Sequence, residues 1–447
     1  MISVREEIRS LARLAAPIAL AQVGLNALAL VDTAIVGNDS TLDFEAATLG
    51  RSVFFTVAAV GLGVAMALEP IASQAVASGE HGRAWVAFRR TLRAVAYQWP
   101  VAAAFAFGLT FLLPLLRVGE AEVRGARLFM LGNLPGLYFF VAFIAGKTFL
   151  QAHGRTRPLL VGAVVANIVN WVVCNILVRG DACLRDWHLP AMGLPHLGAF
   201  GAGLASSVAS GVLFVWTLVA AREHRGDDPK SEDGPSVKRI LELGIPMGLQ
   251  LLAEIGAFTF AALLAAWFGP SQVGAYQVAL MLASVTFMGA MGVSGATAVR
   301  VGRAIGEGRN ARNAGLSGIG MGAGVMLVGV AAFTLIPRTL VGFFTHDEAV
   351  LDLGSKLLRI AAVFQLFDGV QVVAAGALRG AGDVRYPFVA NVVAHWGMGL
   401  PVALGLAFGL HWGALGLFCG LTVGLVAVSF GLGFRFFHVS KKLIARV

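Results

Sequence analysis

The feature that most limits what this chain can become is the recurrence, from one end to the other, of apolar runs of twenty or more residues. Each is long enough to cross a hydrocarbon core of roughly 30 Å. Lipid offers no partner for a free N–H or C=O, so a continuous apolar run reads as a helix, which satisfies its own backbone. Composition agrees: 57% of the 447 residues are hydrophobic and 13% are charged, against roughly a quarter charged in a soluble domain. Mean hydropathy is +0.78. The 56 glycines suit close helix packing in lipid.

Twelve spans are expected, at 11–36, 53–77, 94–116, 128–150, 159–178, 198–221, 240–268, 273–301, 316–344, 352–378, 388–410 and 412–437. The fold class is therefore all-α integral membrane. The first span is too long for a signal-peptide core and lacks a small-residue cleavage site after it. Basic residues set the orientation. With both termini cytoplasmic, 24 of the 34 Lys and Arg fall on the inner side, 9 on the outer side, and Lys147 lies within a span. This positive-inside asymmetry leads to the expectation of a multi-pass protein of a plasma (bacterial inner) membrane. A net charge of +9 can also mean nucleic acid. Here the charges sit in short loops between apolar spans, so no nucleic-acid partner is expected. Cys174, Cys183 and Cys419 imply no disulfide or metal framework.

The longest polar stretch, Ala221 to Arg239, reads as a linker. It gives an N-terminal six-helix lobe at 1–221, a cytoplasmic linker at 222–239 and a C-terminal six-helix lobe at 240–447. The halves are related. At an offset of 229, Pro17 matches Pro246, Leu20 matches Leu249, Ala75 matches Ala304, Gly79 matches Gly308 and Pro158 matches Pro387. "GAFG" at Gly198 pairs with "GALG" at Gly413. Six spans plus a linker put both copies in one orientation, so the two bundles are expected to be related by a pseudo-two-fold axis along the membrane normal.

A charge at the bilayer centre costs roughly 2.5–3.5 kcal/mol on insertion scales, so acids within the spans carry the information. They are Asp32, Glu69, Glu254 and Asp368. Glu254 falls roughly 21 Å into its span and Asp368 roughly 15 Å from the end of its own, so the two can share a depth. Neither has a Lys or Arg partner at helical spacing. Asp32 lies deep in the first span, toward the outer face. Glu69 precedes Pro70, and a solvated, kinked inner helix end is the expectation there. Polar neighbours extend the pattern: Gln250, Tyr276, Gln277, Gln365, Gln371, Asn26, Asn167, Asn170 and His395 are candidates to line a cavity or to bond helix to helix.

Burial disfavours the charged form of a carboxylate. A proton, a metal ion such as Na+, or an organic cation can each neutralise it. If only one occupies the site at a time, the outcome is exchange. No G-x-x-x-x-G-K-[ST] loop and no H-E-x-x-H cluster occur, so neither ATP hydrolysis nor a membrane-embedded enzyme is indicated.

At these residues the sequence resembles the multidrug and toxic compound extrusion (MATE) family, and its C-terminal half looks like the NorM-type branch. The resemblance lies in "VDTAIVG" (Val31 to Gly37), "GIPMGLQLLAE" leading to Glu254, "ATAVRVGRAIGEG" (Ala296 to Gly308), "DGVQVVAAGALRGAGD" (Asp368 to Asp383) and "HWGMGLP" (His395 to Pro401). It implies a twelve-helix, two-lobe antiporter that exports amphipathic, mostly cationic drugs or toxins in exchange for Na+ or H+. By this resemblance Glu254 and Asp368 bind the coupling cation, with Asp32 in a second site. Relatives carry an Asn followed four residues later by an acid or amide in the fifth helix. Here Asn170 is followed by Cys174, with Asn175 one place on. A lipid-linked precursor flippase is the alternative, and it calls for a cavity rich in Lys and Arg. The expected partners are small organic cations and membrane lipid, with the chain a monomer and no resident cofactor.

Overall fold

A computed structural model describes residues 4–116, 119–186, 188, 190, 192–226 and 234–447. The centre of the expected linker, 227–233, lies outside the described residues. The described chain is helical throughout, with eleven helices long and apolar enough to cross a membrane by length and composition. With one further long helix they are α1 (Val4–Asp39), α2 (Thr41–Ala77), α3 (His81–Leu109), α4 (Glu120–Ala152), α5 (Arg157–Arg179), α6 (Gly198–Arg222), α7 (Val237–Phe268), α8 (Pro270–Gly306), α9 (Arg312–Leu335), α10 (Glu348–Gly380), α11 (Arg385–Gly409) and α12 (Ala414–Val439). The further one is α3, whose first half carries Arg83, Arg89, Arg90 and Arg93 and so dilutes its apolar character.

Prolines explain where expectation and structure part. The expected span 94–116 starts earlier, at His81, and stops at Leu109. Pro114 has no N–H to offer the carbonyl of Thr110, so the helix cannot run on. The expected span 316–344 ends at Leu335, because Ile336 precedes Pro337 and sits at φ −129°, outside the helical region. Within α2 a single turn residue, Ala67, interrupts the helix, where Pro70 leaves the carbonyl of Met66 without its donor. In α11 the turns Val393–Gly399 widen to π geometry just before Pro401, and Leu400 N–H bonds His395 C=O instead.

The chain forms two compact units. The N-terminal unit comprises Leu20–Leu68 and Glu80–Gly248, and the C-terminal unit comprises Met1–Ala19, Glu69–Gly79 and Leu249–Val447. Within the first, α4 is packed by α2, α3 and α6. Within the second, α10 is packed by α8, α9 and α12. These fourth helices of each half are the most buried spans of their units apart from α2.

The repeat shows in the backbone. Gly79 and Gly308, matched at the offset of 229, have φ of 81° and 69°, and Gly198 and Gly413 have φ of 49° and 55°. Left-handed values of this kind favour glycine. The turns after α4 and α10 are also alike. Arg155 N–H reaches back to Leu150 C=O at 2.8 Å, and Asp383 N–H to Leu378 C=O at 2.9 Å, the reach-back that closes a helix with a left-handed glycine.

Candidate functional site: two clusters of intramembrane acids

The C-terminal cluster is built on α7, α10 and α11. Glu254 lies near the middle of α7, beside Ala253, whose carbonyl accepts the Trp396 indole N–H at 2.9 Å and so ties α7 to α11. Glu254 Oε2 accepts from Gln371 Nε2 and from Asn391 Nδ2, each at 3.3 Å. Helical spacing puts Gln365, Asp368 and Gln371 along one side of α10. Gln365 spends its amide N–H on Ala283 C=O at 3.0 Å, pinning α10 to α8.

Asp368 is 7% exposed. Among the described residues it makes no hydrogen bond or ion pair, and it lies near enough to Glu254 for the two carboxylates to repel. No Lys or Arg forms an ion pair with either acid among the described residues. The nearest influence is Arg379, which acts on Glu254 only at a distance. It is engaged elsewhere, donating to Glu69 at 3.1 Å and to Ser294 Oγ at 3.1 Å.

On the helices of this cluster, Gln365 Oε1, Gln371 Oε1, Asn391 Oδ1 and both ring nitrogens of His395 are buried without a hydrogen-bond partner, as is the hydroxyl of Tyr276 on α8. Buried polar atoms of this kind call for an explanation, and an ion or water is the usual one. Hard cations take carboxylate, amide and hydroxyl oxygens as ligands. The set behind Asp368 is aromatic. Phe364 lies 5.8 Å from Phe258 and 5.2 Å from Phe418, and Phe258 lies 5.9 Å from His395. Aromatic faces attract organic cations.

The N-terminal cluster is different. Asp32 on α1 is 4% exposed. Its Oδ1 accepts from Asn170 Nδ2 at 2.6 Å and its Oδ2 from Ser206 Oγ at 2.8 Å. The buried Cys174 thiol lies beside it. Arg51 on α2 stands 3.6 Å from Oδ2 and is anchored by Ala29 C=O at 2.8 Å. The carboxylate is fully dressed.

Of the residues singled out from sequence, Glu254 and Gln371 are brought into contact, with Asp368 beside them. Asn170 joins Asp32. Gln250 is buried one turn before Glu254. Gln277 is exposed, turned away from its buried neighbour Tyr276. Asn167 bonds Gly24 C=O at 2.8 Å, helix to helix, and Lys147 reaches Gln22 Oε1 at 3.2 Å. Asn175 turns back onto Trp171 C=O. Glu69 corrects the expectation of a solvated helix end: it is 6% exposed and paired with Arg379, 310 residues away. Sequence reasoning missed Asn391, Ser206 and Arg51. Asn391 stands one turn before His395 inside an apolar run, a signal as good as Asn170 gave. Arg51 read as part of an outer loop, but its long stem lets the guanidinium reach into the span.

A multi-pass helical membrane protein with a pair of buried acids in one unit and a single buried acid in the other is a transporter-like architecture, and comparison with known proteins narrows it. Residues 17–176 and 246–404 match the MatE family profile. The chain is 35% identical to the probable multidrug resistance protein NorM of Deinococcus radiodurans, with 98% of this chain and 97% of that protein covered. It is 31% identical to the protein of the same description from Xanthomonas axonopodis pv. citri, covering 99% and 96%. The fold is similar to that of the Vibrio cholerae MATE transporter VcmN in the bent form, with a TM-score of 0.83 at 17% identity over 98% of each chain. The chain belongs to the MatE family.

Proposed function

We propose that this protein is a multidrug efflux transporter which exports amphipathic, mostly cationic small molecules in exchange for Na+ or H+. The observation that carries the reading is Asp368: a buried acid, close to a second acid, with no hydrogen-bond or ion-pair partner among the described residues. Two adjacent carboxylates in a low-dielectric setting repel unless a positive guest neutralises them. A proton or Na+ arriving from outside and an organic cation arriving from inside then compete for one place, and competition is coupling. For Na+, Glu254 and Asp368 would supply the carboxylate oxygens, and Gln371 Oε1 and Asn391 Oδ1 stand nearby without partners. For an organic cation, the partly buried Phe258 is the candidate ring face, with Phe364 and Phe418 packed together in the core beside it.

Asp32 is the second candidate cation site, and its Arg51 partner makes it the weaker one. The two lobes would open alternately to each side, joined by the segment 222–239, with both termini cytoplasmic in a bacterial inner membrane and the chain working as a monomer. The flippase alternative draws no support from the bases within the spans. Lys147 is bonded to Gln22 and Arg379 to Glu69, and neither is presented as an anion cradle.

The test is ethidium efflux from proteoliposomes under separately imposed Na+ and proton gradients. Wild type is expected to respond to at least one gradient. Glu254→Gln and Asp368→Asn are each expected to fall to the level of empty liposomes. Gradient-driven efflux that survives in both variants would remove the mechanism.

A further inference from the structure

Apart from the acid clusters, the C-terminal unit holds a cavity of about 590 Å³ at the arginine-rich end of its helices. Glu7, Arg300, Arg309, Asn310, Arg312 and Asn313 line it. Its floor is neutral, because Glu7 accepts from Arg300 through both carboxylate oxygens, at 2.7 and 2.6 Å. Arg309 is paired with Glu307. Arg312 is the uncommitted group. Its guanidinium lies 4.3 Å over the Phe437 ring, and among the described residues it makes no ion pair or side-chain hydrogen bond. Stacking holds an arginine by its faces and leaves its in-plane N–H donors free.

A second cavity, of about 460 Å³, adjoins the first through Asn313. Its walls are Ile8, Leu316, Ser317, Gly320 and Met321. Residues 313, 316, 317 and 320 share one face of α9, so the lining changes from charged to apolar along the helix over about 12 Å. A charged pocket that opens into an apolar groove running into the membrane has the form of a phospholipid, head first. Basic pockets among membrane helices commonly hold anionic head groups.

We propose that this composite cavity binds an anionic phospholipid of the leaflet on the arginine-rich side, with Arg312 as the main holder of the phosphate, the remaining N–H edge of the Glu307-paired Arg309 beside it, and the Ile8, Leu316, Gly320 and Met321 groove holding an acyl chain. The inference needs the chain to be in a membrane. It does not need the exchange mechanism, so the two can fail separately.

The test is native mass spectrometry of the purified full chain, titrated with palmitoyl-oleoyl phosphatidylglycerol, with the phosphatidylcholine of the same chains, and with inorganic phosphate as competitor. Wild type is expected to retain phosphatidylglycerol in preference to phosphatidylcholine, with phosphate a poor competitor. Arg309→Gln with Arg312→Gln should weaken that retention at least about five-fold, most of it from the loss of Arg312. Gly320→Leu should weaken it too, since a Cβ at Gly320 meets nothing within 4 Å and the longer side chain then competes with the acyl chain for the groove. Arg385→Gln, an exposed arginine outside the cavity, should change nothing. Equal binding of phosphatidylcholine would overturn the proposal, as would an Arg385→Gln effect as large as that of the double variant. Full displacement by inorganic phosphate, or indifference to Gly320→Leu, would reduce the cavity to a free-anion site and sink the lipid reading.

Discussion

Asp32 and Asp368 are both buried aspartates on membrane helices, and their surroundings are opposite. Asp32 has Arg51, Asn170 and Ser206 around it. Asp368 has another acid nearby and no bonded partner among the described residues. The repeat does not account for this. At the offset of 229 that matches Pro17 with Pro246, Asp32 aligns with Ala261, Glu254 with Leu25 and Asp368 with Phe139. The duplicated features are backbone ones: prolines within or opening helices, and glycines in left-handed turns. The polar chemistry was placed separately in each half. Shared architecture therefore says where helices run, and single side chains decide which half can accept a guest.

The largest expected effect separates the two aspartates by sign. Asp32→Asn strips Arg51 of its counter-charge and is expected to cost about 1–3 kcal/mol of stability. Asp368→Asn replaces a lone carboxylate by a neutral group of the same shape and is expected to gain about 1 kcal/mol. Thermal unfolding midpoints in one detergent give the comparison. Shifts in the same direction for both variants would break the distinction between a dressed and an undressed acid. A companion variant sharpens it. Arg51→Gln leaves Asp32 with its hydrogen-bond donors but no cation, and Na+ should then raise the midpoint more than it does in wild type.

The contrast was only half legible in the sequence. The acids themselves were plain, because a charged residue in a run such as "LALVDTAIVG" has no other reading. Span positions followed from apolar length, and they erred where a proline several residues away removed one hydrogen bond. The partners were hidden, since they come from distant helices. Arg51 is 19 residues from Asp32 and Ser206 is 174, and no periodicity links them. Arg379 and Glu69 illustrate the same limit. Glu69 looked like the polar end of its own helix, and only packing puts it 3.1 Å from Arg379.

A middle-sized effect tests the donors. Asn391 serves Glu254 from 3.3 Å, whereas Asn170 serves Asp32 from 2.6 Å. Both acceptors are carboxylate oxygens, and the shorter bond is the stronger. Asn170→Ala should therefore lower the unfolding midpoint more than Asn391→Ala does. In transport the order should reverse. Asn391 Oδ1 is an unpartnered oxygen beside the acid pair, and its loss should weaken the coupling cation about five-fold, the equivalent of one ordinary hydrogen bond. The half-saturating Na+ or proton concentration for ethidium efflux reads this directly. A stronger transport defect in Asn170→Ala would assign the exchange to the N-terminal cluster instead.

The smallest effect compares the turns after α4 and α10, which share a backbone but not a chemistry. After α10, Asp383 is held by Arg435 at 2.7 Å. After α4, His153 stacks on His224 at 5.3 Å and lies 5.6 Å from His81. Burial lowers the pKa of His224 below its ordinary value, the positive charge of Arg155 adds to this, Glu223 opposes it, and His81 contributes slightly in the same direction as Arg155. An unfolded chain takes up that proton near pH 6.5, while the folded stack resists it. The unfolded state then binds more protons, so this contribution is complete above about pH 6.5 and is lost as the pH falls below it. Amide exchange, corrected for its intrinsic pH dependence, should quicken around residues 153–156 between about pH 7.5 and 5.5. The equivalent turn at 381–384 should not follow, and His224→Gln should abolish the difference. Matching acceleration in both turns would mean that acid loosens the helix ends generally, and the histidine stack would lose its claim to set the N-terminal unit apart.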